Sequence, residues 1–205
     1  PSYSYLVDVT DLDRTRGRIE QNLRRLVDRC EREGVTFAED DDFRAFYSLH
    51  AQTHQRKGAS LYLPEAGFAR YFRSLHGQGL ARLFHARLPG GRSIAAQLVL
   101  LGPHPVTHTV AAAADAEFLK LGASAFLRWN VFRWLSAAGK AANDLTDAPL
   151  SPVTHFKAQL GGDLQVCHRL ERPESLGFRL QHGIRHAEKS ARRLWRSLRH
   201  RTTAP

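Results

Sequence analysis

The stretch Thr154-His155-Phe156-Lys157-Ala158-Gln159-Leu160-Gly161-Gly162 follows closely on Asn143-Asp144-Leu145-Thr146. An aromatic, a Lys and a Gly pair just beyond a polar strand end is the kind of strand–loop junction where functional groups gather. The residues alone read more simply as a solvated Lys beside a core Phe, because lone Lys side chains are mostly exposed. Leu119–Ser124 stands between a strand and a helix start, where free backbone N–H groups suit a phosphate or pyrophosphate. Every helix start offers such groups, so the signal is weak. His50 and His54 have the i, i+4 spacing that aims two ligands at one zinc. Ala51 follows His50, so the HExxH base is missing, and no metal site is expected. There is no GxSxG elbow, and neither Cys30 nor Cys167 has a nucleophile signature. Gly90-Gly91 reads as a hairpin turn, and Gly161-Gly162 lacks the context of a dinucleotide loop.

The elements that must position these residues follow from periodicity. Tyr3–Val9 alternates as a strand, and Thr10 or Asp11 caps a helix expected to run to about Glu33, ended by Gly34. Val35–Ala38 is extended. Asp40–Asp42 caps a second helix with Phe43, Phe46, Tyr47 and His50 on one face and Arg56-Lys57-Gly58 at its far end. A third helix spans about Glu65–His76. Three strands then form an antiparallel meander: Ala81–Leu88, Ser93–Leu101 and Val106–Ala113. A long helix runs from about Ser124 to Ala138. Ala142–Leu145 is a short strand, a polar loop follows, and Leu164–Leu170 is the last strand. This order predicts an α/β (α+β) fold with a mixed, mainly antiparallel sheet flanked by helices.

The 205 residues are 42% hydrophobic, enough for a core, and no apolar run reaches the length of a membrane span. Two Cys in 205 residues argue against a disulfide framework and for a reducing, cytoplasmic setting. The chain starts at Pro1 and has no Met, which suggests a processed chain or a piece of a longer one. The net charge of +10 is unevenly spread: residues 178–205 carry +7 and the remaining 177 residues only +3. In that tail Leu180, Ile184, Ala187, Ala191, Leu194, Trp195 and Leu198 form an apolar stripe among Arg and Lys residues, a basic amphipathic helix. It suits packing on the body, docking on an anionic membrane surface, or, less well, nucleic acid. The expected division is a domain over 1–177 and the tail over 178–205.

The segments read together resemble a family. They are NLRRLVDRCEREGVTFA (22–38), FRAFYSLHAQTHQRKG (43–58), RLFHARLPGGRSIAAQ (82–97), the strand ending Ala111–Asp115, the helix closing on Ala138-Gly139, and the Asp144 strand with Phe156-Lys157 and Gly161-Gly162. This ordered set is similar to the C-terminal part of the Fem-type aminoacyltransferases and to their CelD-like and BioF-like acetyltransferase relatives, all of the GNAT fold. The likeness spans about residues 3–171 and rests on the set rather than on one strong motif.

The resemblance implies a GNAT-like domain, the second of a tandem. It further implies an N-acyltransferase (an acetyltransferase or aminoacyltransferase) that acts on an amine or sugar acceptor, a small molecule or cell-wall precursor, in cell-envelope or polysaccharide biosynthesis. Residue by residue, Lys157 matches the Lys that steadies the transferred acyl centre, and Phe156 matches the wall of the acyl pocket. Arg56 matches an Arg lining the acceptor site. Asp144 would orient Lys157 or accept a proton, His108 would contact substrate, and Gly161 belongs to the substrate-binding Gly pair. The donor implied is acetyl-CoA or another acyl-CoA, with aminoacyl-tRNA as the alternative. Leu119–Ser124 departs from the family's Gln/Arg-x-x-Gly-x-Gly/Ala pyrophosphate loop, and the helical arm of some Fem enzymes has no counterpart. The location implied is cytoplasmic, peripheral on the inner membrane face through residues 178–200. The runner-up reading is a catalytically inactive GNAT-like domain recruited by its tail.

Overall fold

The computed structural model of the chain describes residues 2–61, 63–148 and 152–168. The predicted tail helix, the 177/178 boundary and the end of the last predicted strand lie outside these residues. Pro1–Cys167 forms one compact unit. Its elements, in chain order, are β1 (Ser2–Asp8), α1 (Leu12–Arg18), α2 (Gln21–Arg32), β2 (Thr36–Asp40), α3 (Phe43–Arg56), α4 (Glu65–Gly77), β3 (Ala81–Arg87), β4 (Ser93–Leu100), β5 (Val106–Ala114), α5 (Ala123–Ala137), β6 (Ala142–Asp144), α6 (Pro152–Ala158) and β7 (Asp163–Cys167). A 3₁₀ turn at Ala116–Phe118 lies between β5 and α5.

The strands form one sheet in the order β2-β3-β4-β5-β6-β1-β7. Only β5 and β6 run parallel; the other neighbouring pairs are antiparallel. Alternating side chains divide the sheet between two cores. Ala95 and Val99 of β4 join Leu23, Val27, Phe126, Val131 and Leu135 beneath α2 and α5. Ala96 and Leu98 join Phe46, Phe68 and Phe72 beneath α3 and α4. Around Phe43 the rings of Phe46, Phe68 and Phe72 lie 5.6–5.7 Å away between centroids, a spacing that adds to simple area burial.

Two expectations need correction. The single helix expected from Asp11 to Glu33 is two. Asp11 caps α1 by accepting from the Arg14 N–H at 3.0 Å, but Ile19 is extended, at ψ 134°. The break lets Ile19 bury its side chain at 3% exposure, and it frees the Glu20 N–H to donate to the Gln159 carbonyl at 3.0 Å. An unbroken helix satisfies neither. The polar loop expected before the last strand contains α6, which carries Phe156 and Lys157. Pro152 opens α6, a position where its missing N–H costs little.

Two local features shape the sheet for function. Leu98 pairs with Ala111 and Val99 with Thr109, so Val110 is an extra residue, a bulge that bends β5. The parallel pairing of β5 with β6 covers only Val106–His108 against Ala142–Asp144. Beyond it β5 continues to Ala114 while β6 stops, and the two chain paths part.

Candidate functional site

Where β5 and β6 part, a cleft of about 660 Å³ opens. One wall is Thr109–Ala114 of β5, and another is Leu145, Thr146 and Asp147 with Val153, Phe156 and Lys157. The end of α3 contributes Arg56 and Lys57, and the start of α5 contributes Gly122, Ser124 and Arg128. The bulge and the strand separation make the cleft, because a flat, fully paired sheet has no such opening.

Lys157 is 8% exposed. Its Nζ donates to the Thr146 carbonyl and, at 2.6 Å, to the Asp147 carbonyl. Thr146 and Asp147 both adopt positive φ (48° and 37°), uncommon for non-glycine residues and costly. That turn presents both carbonyls to one ammonium. Among the described residues two of its three N–H donors are occupied and one remains. Burial, and after it the positive charge of Arg128, lower the Lys157 pKa from 10.5 to about 8, opposed by Asp147 and Asp144. At neutral pH the group is still mostly a cation.

Asp144 reaches Lys157 indirectly. Its Oδ1 accepts from the Thr146 N–H at 2.7 Å and from the Ser4 hydroxyl, and its Oδ2 faces His108 Nδ1 at 3.1 Å. Thr146 is held again by its own hydroxyl, which donates to the Thr109 carbonyl at 2.7 Å. Asp144 thus anchors the residue whose carbonyl receives Lys157. Among the six residues singled out from the sequence, Lys157, Phe156 and Arg56 line the cleft; Asp144, His108 and Gly161 do not. Gly161 is buried at φ +79°, and a Cβ there would sit 3.0 Å from Arg18 Cβ and 3.2 Å from the Thr15 carbonyl oxygen. Its place is explained by packing against α1.

The loop Leu119–Ser124 delivers the N-terminus of α5 to the cleft. Gly122, at φ +99°, is the N-cap, and no side chain caps the helix. A Cβ on Gly122 would lie 2.5 Å from Leu26 Cβ, so only Gly lets α2 approach this closely. The first N–H groups of α5 have no intrahelical acceptor, which favours an anion. Arg56, at the last turn of α3, lies across the cleft with both Nη atoms 3.5 Å from the Ala114 carbonyl. Lys57 beside it has its pKa lowered by burial and by Arg56.

Sequence reasoning passed over Arg128 of α5 and a chain of polar side chains on the sheet. Arg128 is 6% exposed, and burial lowers its pKa to about 10. Gln97 Nε2 donates to Thr109 Oγ1, and Thr109 donates to Asn143 Oδ1, each at 2.9 Å. One signal was available: Arg128 stands four residues after Ser124 with Phe126, Leu127, Trp129 and Val131 around it, where a charge needs a reason. The His50 and His54 rings lie 4.3 Å apart between centroids, tilted by 52°. Burial, then His54, lowers the His50 pKa to about 4, so it is neutral at physiological pH. Among the described residues no group of three or more His, Cys, Asp or Glu side chains is placed to hold a metal, and no helix is long and apolar enough to cross a membrane.

Comparison with solved structures gives the fold a context. FemX matches with a TM-score of 0.71 at 14% identity, over 80% of this chain and 59% of its own. The C-terminal domain of a putative lysylphosphatidylglycerol synthetase from Agrobacterium fabrum matches with a TM-score of 0.61 at 17% identity, over 80% and 58%. L-PGS from Bacillus licheniformis follows at 0.58 and 15% identity, over 80% and 57%. The chain therefore spans under two thirds of the length of these structures, and at such identities the likeness is one of fold. No curated protein matches the chain. The acetyltransferase (GNAT) domain family matches residues 13–157, from α1 through Lys157. With that match over more than half its length, the chain belongs to the GNAT family of acyltransferases.

Proposed function

We propose that the chain transfers an acyl group from an activated carrier to an amine or sugar acceptor bound in the β5–β6 cleft, with Lys157 stabilising the oxyanion. The observation that carries this reading is the buried Lys157 ammonium in the cleft, two donors held by carbonyls and one left. The acceptor's nitrogen or oxygen attacks the acyl carbonyl carbon, the bond to the carrier breaks, and the acceptor's proton is lost. A fixed, desolvated cation is worth most where negative charge develops, on the carbonyl oxygen. Phe156 walls the acyl group. Asp144 is a positioning residue acting through Thr146, and Asp147 is the carboxylate that lines the cleft among the described residues.

The donor that best fits is an acyl-CoA thioester, whose phosphates suit the uncapped start of α5 with Arg56 and Lys57 nearby. The carrier supplies the activated acyl carbon. An aminoacyl-tRNA donor is the second reading, supported by the likeness to FemX. Its protonated amino group would enter a cleft lined by Arg56, Lys57, Arg128 and Lys157 against Asp147 alone, which opposes it. The neighbour named for lysylphosphatidylglycerol synthesis supports an acceptor of the cell envelope, and a polysaccharide acceptor rests on the resemblance read from the sequence. Docking of the basic 178–200 segment on the inner membrane face belongs to the same proposal.

Thiol release from acetyl-CoA and longer acyl-CoAs, measured over a panel of amines and amino sugars, tests the proposal. Lys157→Ala is expected to lower kcat by roughly 100-fold or more. Undiminished transfer by a folded Lys157→Ala protein removes Lys157 from the chemistry. No transfer by wild type with any acyl-CoA or aminoacyl-tRNA favours the inactive-domain reading.

A further inference from the structure

Two buried polar groups in the cleft have no use in acyl transfer as described. Arg128 Nη1 is buried with no acceptor within hydrogen-bonding range among the described residues, and Gln97 Oε1 is buried with no donor. Arg128 is 6% exposed and Gln97 fully buried, yet both line the cleft. Buried polar groups are almost always satisfied, so such exceptions call for an explanation. An unpaired cation costs more than an unpaired amide, because its charge has been taken out of water.

The two groups are complementary in kind. Arg128 offers a charged donor and asks for an anion. Gln97 offers an acceptor and asks for an N–H or O–H. The Gln97 amide cannot simply turn over to serve itself, since its Nε2 is engaged by Thr109, which is itself held by Asn143. The chain Gln97–Thr109–Asn143 thus fixes the acceptor toward the cleft. Ala112 of β5 and Ala125 of α5, both small, line the cleft with Arg128 and Gln97.

We propose that the α5-covered wall of this cleft is a recognition site for a substrate oxyanion, a carboxylate or phosphate monoester, held by Arg128, with a neighbouring N–H or O–H of the same molecule donated to Gln97. The site is distinct in position from the α5 N-terminus, since Arg128 lies more than a turn into the helix. The inference deepens the acyl-transfer reading by assigning a chemical feature to the substrate. Binding is measured without turnover, so its failure is distinguishable from failure of that reading.

Isothermal titration of the full chain with two probe pairs tests it. N-acetylglycine against N-acetylglycinamide reports a carboxylate site, and glycerol phosphate against glycerol reports a phosphate site. Wild type is expected to bind at least one anion about tenfold tighter than its neutral partner, the worth of one charged hydrogen bond. Whichever pair shows the preference identifies the oxyanion. Arg128→Met is expected to erase the preference and Arg128→Lys to keep part of it. Without ligand, Arg128→Met is expected to melt no lower than wild type, because a buried cation without an acceptor is removed. No anion preference in wild type overturns the proposal. A preference that survives in Arg128→Met also overturns it, as does an Arg128→Met protein that melts lower or fails to fold, which marks Arg128 as structural.

Discussion

Lys157→Met separates the charge of Lys157 from its bulk, and the consequence depends on pH. The folded-state pKa is lowered from 10.5 to about 8, chiefly by burial and then by Arg128. Below about pH 8 the group is charged in both folded and unfolded chains, and the folded chain bears the whole cost of burying the charge. That cost corresponds to about 3 kcal/mol. As pH rises past 8 the folded chain sheds the proton, while the unfolded chain keeps it until about 10.5. The unfolded state then binds more protons, so stability rises through this window. Between about pH 7.5 and 9.5 the gain is about 2 kcal/mol, which for a chain this size is roughly 4–8 °C in Tm. Lys157→Met has no such gain. Other titrations in the window, including the Cys30 thiol that burial pushes up to about 11, are common to both proteins and cancel in the difference. The assay is thermal unfolding of both proteins in a pH series at constant ionic strength. Wild type is expected to gain on Lys157→Met as pH rises. A difference that stays flat, or moves the other way, refutes the picture of a desolvated ammonium. In an Arg128→Met background the pH effect is expected to shrink, since the second cause of the lowered pKa has gone.

Two further perturbations probe the supports of the cleft. Gly122→Ala places a Cβ 2.5 Å from Leu26 Cβ at a φ of +99°, and is expected to cost roughly 2–4 kcal/mol in urea unfolding; near-wild-type stability would mean that α2 and α5 are not so closely apposed. Asp144→Ala removes the acceptor of the Ser4 hydroxyl and Thr146 N–H and the partner of His108. It is expected to cost about 2 kcal/mol and to lower kcat with little change in KM, because it loosens Thr146 rather than touching substrate; a change confined to KM would place Asp144 against substrate instead.

Much of the architecture was legible in the residues. The meander β3–β4–β5, the capped start of α3 and the stop of α5 at Gly139 follow from period-2 runs, Asx caps and glycines, signals that act within a few residues. The break between α1 and α2 had one faint local signal, Gly17 in the last turn of α1, which does not by itself end a helix. The break is set by Ile19 seeking the core and the Glu20 N–H finding Gln159, 139 residues away. α6 was hidden, because seven residues around a Pro carry too short a period to be read as a helix. Arg56, Phe156 and Lys157 were named in advance through a resemblance. Arg128 and Gln97 were not, since a charge or an amide in an apolar run shows its purpose only when its surroundings are known.

The sequence by itself determined the order and kind of the elements, the concentration of positive charge beyond residue 177, and the family to which the ordered motifs point. These depend on side-chain periodicity and composition, which are properties of the chain read one neighbour at a time. Only the tertiary structure decided that β5 and β6 part after three residue pairs, that the turn at Thr146–Asp147 offers two carbonyls to Lys157, and that Arg128 lines the cleft with its Nη1 lacking an acceptor among the described residues. Strand separation, desolvation and hydrogen-bond satisfaction arise between segments distant in the chain. That is why the chemistry of the cleft became visible only once β5, α5 and α6 were brought together.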